Sequence, residues 1–128
     1  MRPPSLADIE ALARQAFDNL PEDFRRAAGE VVIHVVDFAD EETLDALGIE
    51  DAFELTGLYR GVDRLHQSVT DPLPFTPHVF LYRRPILDEW SERGDVTLAA
   101  LVEHVLVHEI GHHFGLSDAH IEAIEARD

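Results

Sequence analysis

The sequence predicts an α+β fold, a small mixed β-sheet packed on helices, one of them long. Three observations predict it. Residues 31–36 (VVIHVV) and 78–82 (HVFLY) are dominated by β-branched, aromatic and other apolar side chains, the composition of strands. Leu98, Leu101, Val102, Val105, Leu106 and Ile110 recur at helical spacing, giving one broad apolar helix face. These patterns are interleaved with shorter helical ones, and the order closes on two helices with no repeat or linker between.

Taken in order, Ser5 opens the first helix as its N-cap, with Asp8 at the capping-box position. Leu6, Ile9, Leu12, Ala13, Ala16 and Phe17 follow at helical spacing. This helix should end near Asn19, because Pro21 disfavours a helical residue before it. A short helical stretch over residues 22–28 stops at Gly29, and the strand over 31–36 follows. Residues 40–47 read as a short helix with Gly48 as its C-cap. Residues 55–62 suggest a strand broken by glycines, 69–77 a proline-rich loop, and 78–82 a further strand. Residues 86–93 read as a helix ending at Gly94. Asp95 or Thr97 opens the longest helix, which runs to about Phe114 with Gly115 as its stop, and Ser117 or Asp118 caps a last one.

With 128 residues, the expectation is a single domain over residues 1–128. An apolar fraction of 45% suffices for a core without disulfides, and the absence of cysteine excludes a thiolate metal site and a cysteine nucleophile. The N-terminal residues lack the apolar run of a signal peptide and no stretch is long enough for a membrane span. The expected location is the cytoplasm, with no membrane partner. A formal charge of −16, with Arg83-Arg84 the longest basic run, disfavours a nucleic-acid partner.

The chemistry lies in His108-Glu109-Ile110-Gly111-His112. Histidines four apart on a helix project from one face, which suits two nitrogen ligands on a tetrahedral zinc. Glu109 is rotated off that axis, so it can reach water beside the metal rather than the metal itself, the position a general base requires. Catalytic zinc usually has three protein ligands. Gly115 permits a turn after which Asp118 can supply a carboxylate, giving H-E-x-x-H-x-x-G-x-x-D. His120, Glu122 and Glu125 are the alternative third ligands. His104 lies one turn before His108 on the same face, where it can support that residue or line the cleft, and it is expected to be simply packed or solvated. His34 alternates with Ile33 and Val35 and is expected as a structural histidine on the opposite sheet face. Tyr59, Arg60, His78 and Tyr82 are candidate oxyanion partners by residue type alone.

The segment HEIGHHFGLSD (108–118), with LTGLYRG (55–61) and VFLYRRPI (79–86), resembles the small bacterial zincin-like metallopeptidase family over roughly residues 30–126. The resemblance implies a minimal zincin fold with zinc at His108, His112 and Asp118 and Glu109 as catalytic base. It also implies an extended peptide or protein substrate paired to an edge strand beside the cleft, with residues 79–82 or 58–62 as that edge. The chain departs from the larger metzincin clan in having aspartate as third ligand. Its one methionine is Met1, so the methionine turn of that clan is missing. The expected activity is zinc-dependent peptide hydrolysis. The alternatives are a catalytically weak or inactive zinc-binding domain that holds extended peptides, and a zinc hydrolase of another class, such as an RNA-processing enzyme, against which the charge of −16 argues.

Overall fold

A computed structural model describes residues 2–61 and 77–113, with residues 27, 112 and 113 described through their backbone. Helix α1 (Leu6–Asp18) starts at Ser5, whose hydroxyl accepts from the Asp8 amide while the Asp8 carboxylate accepts from the Ser5 amide. This reciprocal capping box is the one the sequence predicts. Helix α2 (Glu22–Ala28) stops at Gly29, whose φ of 68° few other residues adopt. Strand β1 (Val32–Val36) follows, then α3 (Glu41–Leu47), with Asp40 as N-cap and a left-handed Gly48. A 3₁₀ turn over Ala52–Glu54 leads into β2 (Gly57–Arg60).

Strand β3 (His78–Tyr82) runs directly into α4 (Arg83–Arg93). Helix α4 starts three residues before the predicted Ile86. Pro85 lies in the first turn, where its missing N–H costs no helical hydrogen bond. Helix α5 (Leu98–His113) is the longest among the described residues. Its cap is Thr97, not Asp95: the Thr97 hydroxyl accepts from the Ala100 amide at 3.1 Å.

The sheet order is β1-β3-β2, with β1 and β3 parallel and β2 and β3 antiparallel. The sheet is therefore mixed, as expected. Ile33 pairs with Val79, Val35 with Leu81, and Gly57 with Leu81. Strand alternation puts these residues on one face, against α1 and α5. Ile9, Ala13 and Ala16 of α1 meet Leu101, Val102, Val105, Leu106 and Ile110 of α5 in one core. The opposite face carries His34, His78, Phe80 and Arg60. Among the described residues no helix is long and apolar enough to cross a membrane.

Candidate active site

The core position of α5 fixes the orientation of its histidine stripe. Leu101, Val102, Val105, Leu106, Val107 and Ile110 are all buried, which leaves His104, His108 and Glu109 half-buried at the margin of the core. His108 lies edge-on to His104, with ring centroids 4.2 Å apart and planes at 86°. His104 is thus packed, as expected, and its partner is the candidate ligand. The helix continues unbroken to His113, so its backbone carries position 112 one turn beyond His108, the i, i+4 relation that two imidazole ligands need. Asp118 lies outside the described residues, as do Gly115, Ser117 and the alternatives His120, Glu122 and Glu125.

Among the described residues no three histidine, aspartate or glutamate side chains converge on one point. The described part of the site fits zinc in chemistry: a half-buried imidazole on a helix and a second histidine position one turn on as donors, with a carboxylate beside the first that can face bound water instead.

Glu109 lies beside a close approach of strand and helix that the sequence does not reveal. A Cβ built on Gly57 would lie 2.7 Å from Val105 Cγ1, 3.2 Å from Glu109 Cγ and 3.3 Å from the Phe80 carbonyl oxygen. Glycine weakens a strand interior and often marks a close approach of another element. The sequence reading took the glycines of residues 55–62 as interruptions of a strand. Gly57 instead begins β2 and lets it lie directly on the Val105–Glu109 side of α5. The only sequence signal was the glycine itself, beside an otherwise apolar run.

This arrangement also separates the two candidate edge strands. β3 has a neighbour on each side, so residues 79–82 offer no free edge, because the parallel β1 occupies it. β2 has one partner among the described residues and is the edge strand beside Glu109.

The four oxyanion candidates divide by sheet face. Tyr59 shares the α5 side with Gly57 and packs against the core. Arg60, His78 and Tyr82 lie on the other face. His78 Nδ1 is 2.9 Å from His34 Nε2, and His34 stacks on both His78 and Phe80. His34 is thus a structural histidine with a partner. Burial, and then the neighbouring His78, hold its imidazole below the usual histidine range. Arg60 donates to Thr43 Oγ1 at 3.0 Å and lies 5.6 Å from the Phe80 ring centroid. Burial raises the Tyr82 hydroxyl pKa above the ordinary tyrosine value. Arg60 opposes that rise, while Asp40 and then Glu109 add to it.

A short mixed sheet lying on a histidine-bearing helix, with the edge strand against the glutamate, is the arrangement of a minimal zincin. A family model for zincin-like metallopeptidases matches residues 28–127, and the chain belongs to that family. Comparison with curated proteins gives no match.

Proposed function

We propose that the chain is a zinc-dependent peptidase, one domain over residues 1–128, that acts in the cytoplasm on peptides or a protein substrate. In this reading His108, His112 and Asp118 hold the metal and Glu109 is the catalytic base. The observation that carries it is the close approach of β2 to α5 at Gly57, where an added methyl would meet the Glu109 side chain, so that a candidate base lies beside the edge strand one residue from a candidate ligand. An extended peptide paired to β2 would run past Glu109 with its backbone held by main-chain hydrogen bonds. Zinc, when bound, supplies the Lewis acidity that activates water and polarises a peptide carbonyl. Glu109 takes the proton of the attacking water and returns it to the leaving amine. His104, edge-on to His108, restricts the orientation of that ring.

A second reading is a zinc-binding module that holds extended peptides without turnover. It is favoured by the placement of Arg60 and His78 on the sheet face away from α5, with Arg60 bonded to Thr43 and His78 to His34. One experiment separates the two. The zinc-loaded chain is incubated with a peptide library, beside Glu109→Gln. Cleavage by the parent, lost in Glu109→Gln with zinc content unchanged, supports the peptidase. Peptide binding by both proteins, with cleavage by neither, supports the module.

A further inference from the structure

The sheet face opposite the candidate active site carries a second feature, a cleft of about 250 Å³ between β3 and α3. Its walls include Val36, Phe38 and Phe80. Val36 and Phe38 are large apolar side chains left exposed at its rim, at 40% and 37%. Its floor includes Tyr82, only 3% exposed. The Tyr82 hydroxyl has no hydrogen-bond partner among the described residues, although Arg60 and Asp40, both lining the same cleft, and more weakly Glu109 act on it electrostatically. A buried hydroxyl without a partner is costly, and native structures rarely tolerate one unless something else satisfies it.

Arg60 supplies the complementary charge. Its guanidinium gives one hydrogen bond to Thr43 and lies over Phe80, and it forms no ion pair among the described residues. The rest of its donor fork is open, and that fork matches a planar carboxylate. We propose that this cleft binds a carboxylate attached to an apolar side chain, the carboxylate taking hydrogen bonds from Arg60 and the Tyr82 hydroxyl and the side chain lying between Val36, Phe38 and Phe80. A single guanidinium beside Asp40, on a chain of charge −16, favours this monoanion over a phosphate dianion. Free apolar amino acids and the C-terminal residue of a peptide both present that group. The cleft lining includes neither Glu109 nor His108, so this inference does not depend on peptide hydrolysis.

The test is titration of the whole zinc-loaded chain, followed by calorimetry and amide NMR shifts, with L-leucine, N-acetyl-L-leucine, L-leucinamide and inorganic phosphate. Binding of either carboxylate without the amide is expected, with the larger shifts around Phe80 and α3. Preference for L-leucine identifies the free amino acid as the source, and preference for the acetylated form identifies the peptide C-terminus. Arg60→Gln and Tyr82→Phe should each weaken binding by about tenfold or more, and His108→Ala should leave it unchanged. Tyr82→Phe, the milder change, keeps the test open if Arg60→Gln fails to fold. Equal binding of leucinamide, preference for phosphate, full affinity in Tyr82→Phe, or loss of binding in His108→Ala would overturn the proposal.

Discussion

At the scale of single residues, His108, Glu109 and His112 are legible in the sequence because their roles follow from side-chain type and spacing within one helix. Gly57 is not legible in that way, because its role depends on an element more than forty positions later packing against it. Gly57→Ala would drive a methyl into Val105 and against Glu109. The expected loss of stability is about 1–3 kcal/mol by urea denaturation, typical of overpacking. Val105→Ala makes room for that methyl, so the double variant should be less destabilised than the sum of the two single changes. Strict additivity would show that the contact carries no strain. Tyr82 and Arg60 were visible as residue types, but strand parity assigns them to the far face, and parity becomes usable only when β3 is known to be central.

Elements were recovered where local chemistry decides them. The Ser5–Asp8 capping box, the glycine stops at Gly29, Gly48 and Gly94, and the two β-branched or aromatic strands all appear where the sequence puts them. Misreadings arose where a local signal is ambiguous. The sequence puts the start of α4 at Ile86, whereas Arg83, Arg84 and Pro85 form its first turn, and β2 is too short and glycine-bounded to declare its limits. Sequence left Asp95 and Thr97 open as the start of α5, and the hydroxyl contact to Ala100 selects Thr97. Thr97→Ala should cost about 1 kcal/mol in chemical denaturation, whereas Asp95→Ala should cost a few tenths at most.

The cross-strand His34–His78 pair makes β1 and β3 sensitive to pH. His34 has a lowered pKa in the folded protein, so below about pH 6.5 the unfolded chain takes up a proton that the folded sheet resists. Stability should therefore fall as pH drops through that value and return above it. Replacing His34 with glutamine should flatten this slope relative to the parent, measured as urea midpoint against pH. An unchanged slope would remove His34 from the account.

For the whole molecule, fold and family are consistent with the pattern of short strands around one long helix, and the match over residues 28–127 leaves α1 outside. Physically α1 is not peripheral: Ile9, Ala13 and Ala16 are buried in the same core as the apolar face of α5. Deleting residues 1–20 would expose that face, and cooperative thermal unfolding should be lost in calorimetry. A transition close to the parent's would show that the matched segment folds alone.

The central claim concerns the metal that His108, His112 and Asp118 are proposed to hold. Its most direct measurement is the zinc content of the chain purified without added metal, beside His108→Ala/His112→Ala and Asp118→Ala. The account predicts about one zinc per chain in the parent, background levels in the double-histidine variant and weakened retention in Asp118→Ala. Stoichiometric zinc in the double-histidine variant would contradict it.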